Sequence, residues 1–123
     1  MPITDTDRIA AAQSYIDALV SHRADTVPFA PDCTRVEIGV KTGFSGDHLR
    51  RSLNRGPQYK VIKETTTPEF TVDGDRVRAR FDLVTKPHVG GVRVGAHIDE
   101  TFHIPADCLI HRIDARIRPF IAR

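Results

Sequence analysis

Residues 97–104, HIDETFHI, place a carboxylate on a face otherwise filled with carbon. Read with a period of two, Ile98, Phe102 and Ile104 fall on one side, continued upstream by Val92, Val94 and Ala96, and Glu100 falls among them. Arg93, His97, Asp99, Thr101 and His103 take the other side. An isolated ionised carboxylate in an apolar layer is strongly unfavourable, so Glu100 must be paired, hydrogen-bonded or kept neutral by a raised pKa. His111, between Leu109 and Ile113, intrudes on an apolar face in the same way. A turn at residues 105–107 joining two antiparallel strands would bring it opposite residue 100 or 102. Tyr15, one helical turn before Leu19, can bury its ring and still offer its hydroxyl. A phenol and a protonated carboxyl in one apolar cavity are two donors for one oxygen, the arrangement that stabilises a developing oxyanion. The structural alternatives are a buried ion pair or a slipped alternation that turns Glu100 outward, and a core-edge tyrosine bonded to backbone or water.

The elements that must position these groups are legible as periodicities. Thr4 followed by Asp7 resembles a capping box, and Ile9, Ala12, Ile16, Leu19 and Val20 form one apolar stripe of a first helix, with His22 and Arg23 at its C-terminal end. A short helical turn over residues 25–29 follows, stopped by Pro31-Asp32. CTRVEIGV reads as a strand with Val36, Ile38 and Val40 inward and Glu37 outward. Ser45 caps a surface helix, GDHLRRSLNR, closed by Gly56-Pro57. From Lys60 onward the pattern is strand. Asp73-Gly74 between alternating runs marks a hairpin, and the strand after it buries Val77, Ala79, Phe81 and Leu83. Gly90-Gly91 leads into the Glu100 strand. In the last strand Leu109, Ile113, Ala115 and Ile117 share a face opposite Arg112, Asp114, Arg116 and Arg118. Helices first, then antiparallel strands with one apolar face, predict an α+β fold in which two to three N-terminal helices cover a curved, mainly antiparallel sheet that wraps around the first helix. The 123 residues suit one domain spanning 1–123.

Composition excludes several classes. With 40% hydrophobic and 28% charged residues and a net charge of +2, the chain lacks the footprint of a nucleic-acid binder. The arginines after Arg76 alternate with apolar residues, as on the solvated face of a sheet. Cys33 and Cys108 have no CxxC or ligand-like neighbourhood and read as reduced thiols. The N-terminus lacks the pattern of a signal peptide, and no run reaches the ~18 apolar residues of a membrane span; a cytoplasmic protein is expected. His97, Asp99 and His103 cannot share a metal, because six residues of strand span about 20 Å. No cofactor motif is present, and no metal or cofactor is expected.

The order of elements, with QSYIDAL, FAPDCTRVE and HIDETFHI, resembles the cone-shaped fold of nuclear transport factors, SnoaL-like polyketide cyclases, ketosteroid isomerases and limonene-epoxide hydrolases. The resemblance to ketosteroid isomerase places Tyr15 and Glu100 (Glu for the family's Asp) at the oxyanion donors and Glu37 at the base. Alternation turns Glu37 outward, so a bulge would be needed to reconcile the two. The resemblance to limonene-epoxide hydrolase points instead to Arg80, Asp82 and Asp114. All three sit on polar strand phases, and Arg35 and Glu37 replace that family's tyrosine and asparagine. The resemblance also implies a sheet-to-sheet homodimer, consistent with the mixed-sign outer face.

The expected site therefore comprises Tyr15, Glu37, Glu100 and His111 as acid–base groups, lined by Ile38, Phe81, Leu83 and Phe102. The expected function is binding of a small, mostly apolar molecule with a polar oxygen, between the first helix and the sheet. An acid–base isomerase, cyclase or dehydratase is the alternative, and a purely structural or partner-binding module with a filled core is a third.

Overall fold

The computed structural model describes residues 3–86 and 93–122. Helix α1 (Asp5–Ser21) begins at the anticipated capping box. The Asp7 N–H donates to Thr4 Oγ1 at 3.1 Å and the Thr4 N–H to Asp7 Oδ2 at 2.9 Å. Its buried face, Ala11, Ala12, Tyr15, Ile16, Ala18 and Leu19, is rich in alanine, which lets the helix sit close to the sheet. It ends at His22, whose left-handed backbone (φ 59°) directs its N–H to Ala18 O.

Among the described residues seven strands follow in one sheet: β1 (Phe29–Glu37), β2 (Val40–Gly43), β3 (Ile62–Thr65), β4 (Glu69–Asp73), β5 (Arg76–Thr85), β6 (Arg93–His103) and β7 (Ile110–Ala122). Their order is β2-β1-β7-β6-β5-β3, with β4 also paired to β5. All pairings are antiparallel except β1–β7, which is parallel. Helices α2 (Gly46–Arg55) and α3 (Pro57–Lys60) lie between β2 and β3. The result is the expected α+β cone: helices packed on a curved, mainly antiparallel sheet. Leu49 and Leu53 of α2 are completely buried with Tyr15, Ile16, Phe102, Ile104, Ile110 and Ile113. Burial of each such side chain contributes roughly 1.5–3 kcal/mol. Gly43 is required where α2 crosses β1, because a Cβ there would lie 2.9 Å from Arg35 Cβ.

Four expectations are corrected. Residues 25–29 form no helix; Val27 N–H closes a turn on Ala24 O at 3.1 Å, and β1 already begins at Phe29. Pro31 and Asp32 are exposed inside β1, in the register gap between Phe29 and Thr34, where the missing N–H of proline disrupts no ladder. The inward phase of β1 is the reverse of the one anticipated: Cys33 and Arg35 are buried, while Ile38 and Val40 are 65% and 62% exposed. The physical reason is a two-residue hairpin. Glu37 pairs with Val40, and Ile38 (φ 51°) and Gly39 (φ 75°) both take the left-handed conformations of a type I′ turn. Finally, the β6–β7 connection is longer than a tight turn, with Cys108 left-handed, so the register pairs Phe102 with Ile113 and His103 with Arg112. That slip moves His111 away from Glu100. The Gly90-Gly91 connection and Val92 lie outside the described residues.

No helix among the described residues is long and apolar enough to cross a membrane. Both cysteines are free; Cys33 is buried, and burial pushes its thiol up to about 12.

Candidate functional site

A cavity of about 280 Å³ opens between α1 and the concave face of the sheet. Its apolar lining includes Leu19, Ile62, Leu83, Ala96, Ile98 and Ile117, and its polar side chains include Tyr15, Glu37, Tyr59 and Glu100. Strand register explains why the two carboxyls share it. Glu37 of β1 pairs with Ala115 of β7, and Ala115 pairs with Glu100 of β6, so one row of the sheet reads Glu37–Ala115–Glu100. At about 4.8 Å between neighbouring strands, the two backbones are about 10 Å apart. The single methyl of Ala115 between them leaves the volume empty.

Glu100 is buried (4% exposed), and its Oε2 has no hydrogen-bond partner among the described residues. Burial pushes its carboxyl up to about 8, the neighbouring Glu37 adds to the rise, and Arg35 opposes it. It is therefore predominantly a neutral acid at pH 7. Glu37 is in the opposite situation. Tyr59 donates its hydroxyl proton to Glu37 Oε1 at 2.9 Å, and Arg35 Nε lies 3.7 Å from the same oxygen.

Arg35 stands behind this wall and is completely buried. Its Nε donates to Thr42 Oγ1 at 3.0 Å, its Nη2 to Thr42 O at 3.2 Å and Ser52 Oγ at 3.3 Å, and its Nη1 to the Tyr15 hydroxyl at 3.3 Å. Its guanidinium carbon sits 4.7 Å from the centre of the Tyr59 ring, a cation–π contact. Burial works against the cation, but Tyr15, Tyr59 and Glu37 outweigh it and raise the pKa further. Burial likewise pushes both the Tyr15 and Tyr59 phenols upward, so both stay protonated.

Of the anticipated acid–base residues, Tyr15, Glu37 and Glu100 come together in the cavity. Glu37 enters by the reversed strand phase, in a strand whose pairings shift register between Phe29 and Thr34 and beside Arg35. His111 does not enter. It is half-buried at the far end of the sheet, with Nε2 2.7 Å from Asp107 Oδ2 and its ring 6.0 Å from that of His103. Of the anticipated lining, Leu83 faces the cavity. Ile38 is at the exposed hairpin tip, Phe81 is buried in the sheet without lining the cavity, and Phe102 is buried against Tyr15 with ring centres 5.6 Å apart. The alternative trio of Arg80, Asp82 and Asp114 stays on the outer face, where Asp82 pairs with His97 at 2.7 Å and Asp114 with Arg112 at 3.8 Å. Among the described residues no group of three His, Cys, Asp or Glu side chains could hold a metal.

Sequence reasoning missed Arg35 and Tyr59. Two signals could have found them. Gly39 between two alternating runs marks a hairpin tip, which resets the phase of the preceding strand. Pro57 favours the first position of a helix, which would carry Tyr59 on a turn instead of an open connection.

A family described as Domain of unknown function (DUF8021) matches residues 3–117. The chain belongs to DUF8021. No curated protein matches it by sequence. Several solved structures share its fold. An LEH-like epoxide hydrolase from M. tuberculosis has a TM-score of 0.74 at 20% identity over 91% of this chain and 83% of that one. The epoxide hydrolase/cyclase-like enzyme SalBIII, described in pyran ring formation in the polyether salinomycin, has a TM-score of 0.74 at 12% identity over 96% and 98%. An NTF2-like protein of unknown function from Cytophaga hutchinsonii has a TM-score of 0.72 at 12% identity over 92% and 97%. At these identities the likeness establishes that this DUF8021 domain has the NTF2-like cone fold, and fold alone does not assign chemistry.

Proposed function

We propose that this DUF8021 protein binds a small, mostly apolar molecule in the cavity between α1 and the sheet, with a ligand oxygen held by Glu100 and Tyr15. One observation carries the reading: a buried carboxyl with an unpartnered oxygen opens onto an apolar cavity. A buried polar group without a partner costs about 1–3 kcal/mol, and a ligand oxygen accepting from the neutral acid would recover it. The test is an NMR titration with small aromatic ketones and alcohols. Amide shifts confined to the neighbourhoods of Tyr15, Glu100 and Ile117, weakened by Glu100→Gln, are expected. Absence of binding by any of them at millimolar concentration would refute the reading.

The unlike environments of Glu37 and Glu100 favour a second reading, acid–base catalysis by an isomerase, cyclase or dehydratase. A neutral acid and a paired carboxylate facing one cavity are a donor and an acceptor for proton transfer. Glu37 would take a proton while Glu100 and Tyr15 hold the oxygen on which charge develops. Exchange of the α-protons of a bound ketone with deuterated water, lost in Glu37→Gln, tests this. The protein also forms a homodimer in this reading, through the outer face of β5, β6 and β7.

A further inference from the structure

Arg35 has the largest side chain among the completely buried residues, yet it does not line the cavity. A guanidinium carries five N–H donors and no acceptor, so every oxygen it touches must accept. This fixes the proton directions around it. Ser52 Oγ accepts from Arg35 and donates to Leu49 O at 2.9 Å. The Tyr15 oxygen accepts from Arg35 Nη1, so its own proton must leave in another direction, and Tyr15 lines the cavity. Tyr59 packs its ring on the guanidinium and directs its proton to Glu37 Oε1, the oxygen that also faces Arg35 Nε. The other Glu37 oxygen is left to accept. Arg35 thus joins α1, β2, α2 and α3, and the protons of Ser52 and Tyr59 have defined acceptors in Leu49 O and Glu37 Oε1.

We propose that Arg35 is a positioning residue that sets the hydrogen-bond polarity of the cavity, presenting the Tyr15 hydroxyl as a donor and the free oxygen of Glu37 as an acceptor, and so selects neutral hydroxycarbonyl compounds. The inference rests on the pocket reading above and adds its substrate class. The ligand offers a carbonyl oxygen to Tyr15 and Glu100 and a nearby hydroxyl to Glu37. A ligand lacking the hydroxyl leaves the Glu37 oxygen without a donor, and a carboxylate brings a second negative charge beside it. Sites built to bind a hydroxyl discriminate strongly against analogues that lack it.

The experiment compares α-hydroxyacetophenone, acetophenone and benzoate as probes, using the whole protein with Arg35, Arg35→Lys and Arg35→Gln. Wild type is expected to bind α-hydroxyacetophenone about tenfold or more tighter than acetophenone, as one recovered hydrogen bond to a charged group implies, and benzoate weakest. Arg35→Lys keeps the charge but not the fork, so that preference should fall to near unity. Arg35→Gln should lose it too and, by removing a cation that lowers the Glu100 pKa, move the Glu100 titration midpoint upward in glutamate-labelled protein. Rescue is built into the pair: Lys should keep the midpoint near the wild-type value while failing to restore the preference. A merely structural arginine would lower the melting temperature and leave the probe ratio unchanged, whereas the Glu100 midpoint reports only the loss of the charge. If Arg35→Gln does not fold, the probe ratio in Arg35→Lys decides; a wild-type ratio there overturns the proposal. If wild type binds acetophenone and α-hydroxyacetophenone equally, the pocket reading survives and this inference fails. If it binds none of the three, both fail.

Discussion

Glu37 and Glu100 stand in one row of the sheet with only Ala115 between them, and they meet opposite environments. Glu37 holds a phenol and faces a guanidinium; Glu100 is buried, with an oxygen that has no partner among the described residues. The parallel β1–β7 pairing creates this, because it sets β1 and β6 on either side of β7 with their inward residues in phase. Three consequences for stability and binding, and one for assembly, can be measured.

Glu100→Gln tests the buried acid. The Glu100 pKa rises from an ordinary value of 4.5 to about 8 on folding, chiefly through burial. Between those values the native state binds more protons than the unfolded one, so stability falls as pH rises through the window. The contribution is fully present below the unfolded pKa and lost above the folded one. Glutamine cannot ionise, so the variant should show a flatter slope between pH ~4.5 and ~8 and exceed wild type by on the order of a few kcal/mol above that window. Denaturant melts at low and high pH measure it; parallel slopes for the two proteins would mean Glu100 ionises freely.

Ala115→Leu tests the cavity. The added branch projects into the space between the two carboxyls, where the native methyl leaves room. Ligand binding should be abolished while stability changes by less than about 2 kcal/mol, since filling a void avoids most of the strain of overpacking. Urea melts and the NMR titration are the readouts. Retained affinity would place the ligand elsewhere.

Ile38→Asn tests the hairpin. A β-branched residue at φ 51° is strained, whereas Asn-Gly is the preferred type I′ pair. Ile38 is exposed, so little packing is lost. Stabilisation of roughly 1 kcal/mol is expected from thermal melts, because the left-handed conformation costs ordinary residues about 1–2 kcal/mol.

Assembly is tested by light scattering at micromolar concentration, where a mass of twice 13.7 kDa is expected. Reversing the charge of Arg80, which is 62% exposed on the outer face, should shift that mass toward the monomer. A concentration-independent monomer in the wild type would exclude the dimer.

The strands of the second half were legible because their alternation is regular. Val77, Ala79, Ile98, Phe102, Ile113 and Ala115 are buried where the period of two put them, and Glu100 stands out against that background. The capping box of α1 and the Ser45 cap are local side-chain-to-backbone bonds, so they too are visible in a few adjacent letters. Tyr15 was legible for the same reason, as a polar tip on an apolar stripe.

The sequence by itself determined the helix on the sheet and the buried acid, because each follows from periodicity or from contacts a few residues apart. Only the tertiary structure decided the face of β1, the place of His111 and the role of Arg35. In RVEIGV the apolar letters Val36, Ile38 and Val40 mimic an inward face, but the turn at Ile38-Gly39 interrupts the strand and a cation with all three nitrogens hydrogen-bonded takes the interior. Which face is buried there depends on partners 7, 17 and 20 positions away, Thr42, Ser52 and Tyr15, that neutralise the desolvation cost of the guanidinium. His111 was displaced by the register of a loop whose length, not its composition, sets the pairing.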